Sequence, residues 1–120
     1  MKKKVAIEHT ECSTGFMAIK DAIEILGGKW KIQIIATLTT SGKAVRFMEL
    51  LRLVDGIGAK MLSKELQDLE TNQLLKRTVL STNQLIVEYE LTPHGKTLER
   101  IINEMRLWGK LHRKKITGDK

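Results

Sequence analysis

Residues 58–93, GAKMLSKELQDLETNQLLKRTVLSTNQLIVEYELTP, change their hydrophobic period partway along. In the first part, Leu62, Leu66 and Leu69 recur at helical spacing, and at about 100° per residue they fall on one side of a helix. The pattern therefore predicts a strongly amphipathic helix over residues 58–72.

The second part of this segment has the pattern of a β-hairpin. Residues 75–80 and 85–91 are rich in β-branched and large apolar side chains, and residues 81–84 between them are polar. Thr92 and Pro93 then have the N-cap and first-turn signature of another helix. A helix-turn-helix followed directly by a two-stranded ribbon is typical of the winged-helix arrangement.

The flanking segments add further helices. Before the amphipathic helix, the sequence predicts helices over residues 14–26, 29–39 and 48–54, with a short extended segment at residues 44–46. After Pro93 it predicts one long helix with apolar side chains at Leu98, Ile101, Ile102, Met105, Trp108 and Leu111. The predicted fold is therefore mainly α with a small β-hairpin, a winged helix-turn-helix. The apolar stripe of the last helix is longer than one small domain needs to cover, so we expect this helix to pair two copies of the chain.

The composition fits one small domain with a cationic surface. The chain has 120 residues, 42% hydrophobic and 29% charged, and its formal net charge of +7 favours an acidic partner such as nucleic acid or an anionic surface. The single cysteine excludes an intrachain disulfide framework, and no apolar run approaches the ~20 residues of a membrane span. Glu8 and His9 interrupt the apolar run after the lysines at residues 2–4, so no signal peptide is predicted and the expected compartment is the cytoplasm.

The pattern of charge and periodicity divides the chain into three segments. Residues 1–12 are charged and aperiodic, and we expect them to form a flexible N-terminal arm. We expect residues 13–112 to form the winged-helix DNA-binding domain with its dimerisation helices, and residues 113–120 to form a basic C-terminal tail. One proline and the absence of a Gly/Ser-rich tract leave no interdomain linker.

The helix predicted over residues 58–72 has a second, polar face. Lys60, Lys64, Gln67 and Thr71 cluster on the side opposite the leucines. On an arbitrary amphipathic helix such a face is solvated surface. After a helix-turn-helix it suits a DNA groove instead, because glutamine and threonine can bond to base edges and lysine to guanine or phosphate. The order of elements favours the second interpretation.

Several short motifs follow one another along the chain. They are Ile25-Leu26-Gly27-Gly28-Lys29-Trp30-Lys31, Arg46-Phe47-x-Glu49-Leu50, Gly56-Ile57-x-x-Lys60-Met61-Leu62, Leu66-x-x-Leu69-Glu70, Val87-Glu88-Tyr89-x-Leu91-Thr92-Pro93-x-Gly95 and Trp108-Gly109. In this order and spacing they resemble the HxlR-type winged-helix transcriptional regulators, a MarR-like family. The resemblance covers roughly residues 16–110. It implies a cytoplasmic homodimer on palindromic operator DNA, with a recognition helix in the major groove and the wing beside it.

Carried over by position, the resemblance implies a recognition helix over residues 58–72 and a wing over residues 77–87. The candidate DNA-binding residues are Arg46, Gly58, Lys60, Lys64, Gln67, Thr71, Lys76, Arg77, Thr82, Asn83 and Gln84. Those of the wing suit phosphate or minor-groove contact, and they equally suit an ordinary polar hairpin. The candidate dimer-interface residues on the first and last helices are Met17, Ile101, Met105 and Trp108.

Three positions depart from the family pattern. Gly58 stands where relatives often have a Ser or Thr that caps the recognition helix and touches phosphate, so that hydroxyl contact is missing. Gln84 and Leu85 stand where the wing usually carries two prolines. Cys12 lies about five residues further N-terminal of Gly27-Gly28 than the cysteine of redox-sensing members does, and it is either a redox residue or a plain thiol.

No residue pattern favours an enzyme. The three histidines lack metal-binding spacing, one cysteine cannot complete a zinc site, and no phosphate-binding loop is present. We therefore predict no catalytic residue, no metal, no cofactor and no membrane partner. The predicted partners are double-stranded DNA and a second copy of the chain, with a small-molecule or redox effector left open. The rival interpretation is a winged-helix module that holds a protein or RNA without reading an operator.

Overall fold

The computed structural model describes residues 10–118, with side chains from residue 14, and most of its elements are helices. In chain order they are α1 (Thr10–Leu26), α2 (Lys31–Ser41), β1 (Val45–Arg46), α3 (Phe47–Leu53), α4 (Ala59–Thr71), β2 (Leu75–Ser81), β3 (Ile86–Leu91), α5 (Pro93–Lys96) and α6 (Glu99–Thr117). This architecture confirms the predicted winged helix-turn-helix. No helix within residues 10–118 is long and apolar enough to cross a membrane.

The strands form one antiparallel sheet in the order β1-β3-β2. β2 and β3 are the predicted hairpin, with a bulge between Val79 and Ser81. The segment predicted as extended at residues 44–46 joins this sheet, because Val45 pairs with Tyr89. The hairpin is thus part of a three-stranded sheet, and β1 runs directly into α3 beside the wing.

The hydrophobic core lies between α2, α4 and the sheet. Leu62, Leu66 and Leu69 of α4 are fully buried, as are Ile34 and Ile35 of α2. Burying each of these side chains stabilises the fold by about 2 kcal/mol. Because the leucines occupy one side of α4, this packing also determines which side of the helix faces outward.

Thr92 links the end of the sheet to the turn that follows α4. Its Oγ1 accepts a hydrogen bond from the backbone N–H of Gly95 at 2.9 Å and donates one to the carbonyl of Gln73 at 2.7 Å. Gln73 has a φ of 64°, in the left-handed region, which turns the chain out of α4 and into β2. The predicted N-cap at Thr92 is confirmed.

The prediction of one continuous helix after Pro93 is wrong. α5 ends at Lys96, and a tight turn precedes α6, because the N–H of Leu98 bonds to the carbonyl three residues back, that of Gly95, at 3.1 Å. Gly95 is buried against the carbonyl of Leu74, where a Cβ would overlap. This close approach holds α5 against the end of the sheet and separates it from α6.

The ends of the described chain differ from the predicted segments. α1 begins at Thr10, inside the segment predicted as an arm over residues 1–12, and residues 1–9 lie outside the described part. α6 continues to Thr117 and ends where Gly118 takes a left-handed φ of 70°. The basic residues 113–115 therefore belong to a helix and not to a tail that follows it, because neither glycine nor proline occurs between Gly109 and Gly118.

Candidate nucleic-acid interface

The outward face of α4 carries the residues predicted to read DNA. Lys60, Lys64, Gln67 and Thr71 are all exposed, opposite the buried leucines. The helix follows Gly58, which is extended and offers no side-chain cap. The side chains needed for base contacts therefore share one solvent-facing surface, and their contact with DNA stays a prediction.

An ion-pair cluster joins this helix to α2. Lys31 on α2 has only 14% of its side chain exposed, and its Nζ lies 2.5 Å from Glu65 Oε1 and 3.3 Å from Asp68 Oδ2. Asp68 also lies 3.5 Å from Nζ of Lys64. The sequence alone places both acidic residues off the polar face, yet Asp68 reaches Lys64 and partly neutralises it. Within residues 14–118, Lys60 has no ion pair within 4 Å.

The pKa values of the cluster reflect these bonds. The hydrogen bond to Glu65 raises the pKa of Lys31, although burial acts in the opposite direction. The hydrogen bond from Lys31 is the main cause that lowers the pKa of Asp68. Lys31 therefore stays charged at neutral pH and holds the recognition helix to α2 through two carboxylates.

The wing residues separate into two groups. Arg77 and Gln84 line a cleft between the wing, α3 and α4, and Arg46 reaches the same cleft from the end of β1. Lys76 lies outside this cleft, opposite Glu90 near the base of the hairpin. The exposed turn at the tip contains Thr82, Asn83 and Gln84. Arg46 and Arg77 thus both line the cleft, whereas Lys76 lies outside it.

Sequence reasoning missed three exposed residues of this cleft. Met48 and Leu85 line it with 69% and 82% of their surfaces exposed, and Ser63 of α4 lines it as well. The sequence places Leu85 in a strand, but β3 begins at Ile86 and Leu85 has a φ of 55° within the turn. An apolar residue directly after a polar hairpin tip is the signal that could have identified it.

The candidate dimer residues of α6 form an uncovered apolar surface, and Met17 of α1 is exposed as well. Met17 of α1 and Ile101, Met105 and Trp108 of α6 are between 44% and 60% exposed. The three α6 residues line one open groove of about 660 Å³, and the Trp108 ring stacks on His112 with centroids 4.8 Å apart. Large apolar side chains grouped in this way typically mark an interaction surface.

Cys12 is the remaining candidate from the sequence. It lies in α1, but its side chain is outside the part that the structure describes, so its redox role stays a prediction. In the described part of the chain, no three His, Cys, Asp or Glu residues gather where they could hold a metal ion.

The arrangement defines a class of protein. α3 and α4 form a helix-turn-helix, β2 and β3 form the wing that follows, and the polar face of α4 projects outward beside that wing. This is the winged helix-turn-helix used by DNA-binding proteins.

Comparison with known proteins agrees with this class. Residues 25–117 match the HxlR-like helix-turn-helix family. The uncharacterized HTH-type transcriptional regulator YtcD of Bacillus subtilis is 37% identical over 103 residues, covering 86% of this chain and 80% of that protein. The redox regulator HypR in its reduced form has a TM-score of 0.76 and 31% identity, over 84% of this chain and 98% of that chain. The quinone-bound YodB from B. subtilis has a TM-score of 0.67 and 32% identity, over 78% and 96%.

The chain therefore belongs to the HxlR-like helix-turn-helix family of transcriptional regulators. The resemblance drawn from its motifs is confirmed.

Proposed function

We propose that this chain is a sequence-specific DNA-binding regulator that acts as a homodimer on a palindromic operator, in the cytoplasm and by binding without catalysis. The observation that carries the proposal is the exposed face of α4. Because the leucines on the other side are fully buried, Lys60, Gln67 and Thr71 face away from the core. An α-helix fits the major groove, where base pairs present distinct donor and acceptor patterns.

Each residue of this face has a role set by its side chain. Gln67 pairs with an adenine edge through two hydrogen bonds, and Thr71 donates or accepts one. Lys60 donates to guanine or to phosphate, and among the side chains of residues 14–118 no carboxylate competes for it within 4 Å. Lys64 contributes less positive charge because Asp68 lies 3.5 Å from its Nζ.

The flanking contacts position the protein on the duplex. Arg46 and Arg77, from two strands of one sheet, bind phosphates beside the groove that α4 occupies. The remaining contacts, to flanking backbone or minor groove, come from Gly58, Lys76, Thr82, Asn83 and Gln84. These contacts supply affinity, whereas the face of α4 supplies sequence preference.

The homodimer is proposed from the uncovered side chains of the two terminal helices. Met17, Ile101, Met105 and Trp108 are apolar and substantially exposed, so packing two copies together on this surface removes them from water. A two-fold axis through that surface relates the two recognition helices. They then meet half-sites about 34 Å apart on a palindromic operator.

The first test removes, one at a time, side chains of α4 that are proposed to contact base edges. We expect Lys60→Ala and Gln67→Ala each to weaken operator binding by about 1–3 kcal/mol, and Gln67→Ala to relax the preference at one base pair of each half-site. Gel shifts with the operator and with single-base variants of it measure both effects.

Matched controls remove the same side chains elsewhere. Lys96→Ala and Gln33→Ala change exposed residues of α5 and α2, away from the proposed face, and they should leave binding unchanged. Unchanged operator binding in both Lys60→Ala and Gln67→Ala would show that α4 does not read the DNA.

The second test addresses the dimer. Trp108→Glu places a charge in the centre of the proposed interface, and we expect the dimer dissociation constant to rise about 30-fold, as for a hot spot worth about 2 kcal/mol. Sedimentation over a concentration series measures this change. Leu53→Glu, at an exposed apolar residue of α3, is the control. A wild-type chain that sediments as a monomer at micromolar concentration contradicts the proposed homodimer.

Selection of bound sequences from random duplex DNA separates this function from its rival. Enrichment of a two-fold symmetric sequence supports the operator-binding dimer. Duplex binding without sequence preference favours a module that holds protein or RNA.

The number of cysteines in the sequence limits where an effector could react with a thiol. Two of the solved relatives are a redox regulator and a quinone-bound regulator. An effector that oxidises or alkylates a thiol in this chain would act at Cys12, the single cysteine of the sequence.

A further inference from the structure

A separate cleft of about 250 Å³ lies at the end of the sheet opposite the wing tip. It is bounded by the end of α2, the loop before β1, the end of β3, and α5 with the start of α6. Its charged lining residues are Lys43, Glu90, Lys96 and Glu99. This α2–α6 cleft contains none of the residues proposed to contact the operator or to form the dimer.

The four charges of the α2–α6 cleft are unpaired. Within residues 14–118, Lys43, Glu90, Lys96 and Glu99 form no ion pair within 4 Å, either with one another or with any other residue. Lys76 is the strand neighbour of Glu90, but their side chains form no ion pair at that distance. The cleft therefore presents two ammonium groups and two carboxylates that sum to no net charge.

The hydroxyl of Thr39, at the end of α2, is a further polar group of this cleft. Among the residues of the described part that are not exposed, Thr39 Oγ1 is the one buried side-chain oxygen or nitrogen without a hydrogen-bond partner. Buried hydroxyls in native proteins are nearly always hydrogen-bonded, because burial without a partner is costly. A polar ligand in the α2–α6 cleft gives this hydroxyl a partner.

The signs of the charges limit the chemistry of that ligand. A simple anion in the cleft meets two carboxylates, and a simple cation meets two ammonium groups, so each is repelled as well as attracted. A small zwitterion carries both signs and can satisfy both sets of groups at once. The buried Leu38 and the half-buried Leu91 complete the lining and suit an apolar substituent.

We propose that the α2–α6 cleft binds a free amino acid with an apolar side chain. The carboxylate of the ligand accepts hydrogen bonds from Lys43 and Lys96. Its ammonium group donates to Glu90 and Glu99, and Thr39 Oγ1 bonds to one of the two ends. The inference is independent of the proposed function, since it requires neither DNA nor a dimer.

The position of the cleft gives a bound amino acid contacts with two parts of the fold. Lys43 lies just before β1, which runs directly into α3 of the helix-turn-helix. Glu99 is the first residue of α6, the helix proposed to form the dimer. The ligand therefore bridges the segment that leads into the helix-turn-helix and the start of α6.

Calorimetric titration of the full chain with the apolar L-amino acids, from alanine to phenylalanine, tests the proposal. We expect a member with a larger side chain, such as L-leucine, to bind with one molecule per chain. Its amide lacks the carboxylate and its N-acetyl form lacks the ammonium group, so each should bind about tenfold more weakly. Loss of affinity in both derivatives distinguishes a zwitterion site from an anion site or a cation site.

Substitutions in the cleft should act together with these changes in the ligand. We expect Lys43→Met to weaken binding of the free amino acid about fivefold but to leave the amide unaffected, because the amide has no carboxylate to lose. Glu99→Gln should likewise weaken the free amino acid but not the N-acetyl form. Lys20→Met and Glu24→Gln, at exposed positions of α1 outside the cleft, are the matched controls and should bind like wild type.

Thr39→Val gives a result that damage to the fold cannot produce. The substitution replaces the unpartnered hydroxyl by a methyl group of similar size. We expect the unliganded variant to unfold at a higher temperature than wild type, because a buried polar atom without a partner is removed. Its affinity for the free amino acid should nevertheless fall about fivefold, because the ligand loses a hydrogen bond. Thermal unfolding and the same calorimetric titration measure the two effects.

The outcomes are distinct from those that test operator binding. If no apolar amino acid binds, or if the amide or the N-acetyl form binds as tightly as the free amino acid, the zwitterion site is overturned. If Lys43→Met and Glu99→Gln both bind like wild type, the ligand lies elsewhere and the assignment to the α2–α6 cleft is overturned. Either result leaves operator binding unaffected, and failure to enrich any duplex sequence leaves the amino-acid site unaffected.

Discussion

Operator binding is expected to weaken by about 10⁴-fold when the salt concentration is raised from 50 to 200 mM. A salt titration of the purified chain measures this change. The effect follows from the release of counterions when cations neutralise phosphates. In residues 14–118, Arg46, Lys60, Lys76 and Arg77 are exposed and have no ion pair within 4 Å. In the proposed homodimer these residues supply about eight phosphate contacts, for which the expected slope of log affinity against log salt concentration is about −7.

The slope of log affinity against log salt concentration also separates charged contacts to phosphate from uncharged contacts. We expect Arg77→Gln to make it shallower by about 2, one contact in each protomer, and to weaken all sequences alike. Lys96→Gln removes the same charge at α5, which follows the end of β3 opposite the wing tip, and should not alter the slope. Equal slopes in all three proteins would show that Arg77 does not touch phosphate.

For Lys31→Met, we expect the free energy of unfolding to fall by about 3 kcal/mol. The loss arises because the carboxylate of Glu65, with 11% of its side chain exposed, loses the ammonium group that lies 2.5 Å away. A buried charge without a partner is costly. Urea denaturation at neutral pH measures the change, and the slope of the unfolding free energy against urea should stay constant.

A double substitution identifies the cause of this loss. Lys31→Met combined with Glu65→Met removes both charges and keeps apolar volume at the contact between α2 and α4, so most of the lost stability should return. Asp68 is 43% exposed and retains Lys64 as a neighbour, so it adds little to the penalty. If the double variant is as unstable as Lys31→Met, the loss comes from packing and not from the unpaired carboxylate.

The contribution of this cluster has a defined pH window. Lys31 lowers the pKa of Asp68 below its ordinary 3.8, so the stability from Asp68 is present above that pH and is lost as the pH falls through the lowered value. The pKa of Lys31 is raised above 10.5, so its stability is present below that pH and is lost as the pH rises through the raised value. The difference in stability between wild type and Lys31→Met should therefore be largest between these limits.

Local patterns were sufficient for most elements of the fold. The leucine spacing of α4 and the two apolar runs of the hairpin are periodic within a few residues, and Thr92 caps the following helix through a nearby amide. The break between α5 and α6 was not predictable in this way. It depends on the close approach of Gly95 to the carbonyl of Leu74, and both β2 and β3 lie between these two residues in the chain.

The candidate site likewise has one part that was predictable from the sequence and one part that was not. The sequence by itself determined the two faces of the recognition helix, because helical geometry alone places Lys60 and Gln67 opposite the leucines. Only the tertiary structure decided that Asp68 is shared between Lys31 and Lys64, and that Arg46 and Leu85 line one cleft. Lys64 and Asp68 are four residues apart on α4, but Lys31 and Asp68 are far apart in the chain, as are Arg46 and Leu85. These pairs come together because α2 packs on α4 and β1 pairs with β3. No period within a single segment contains that information.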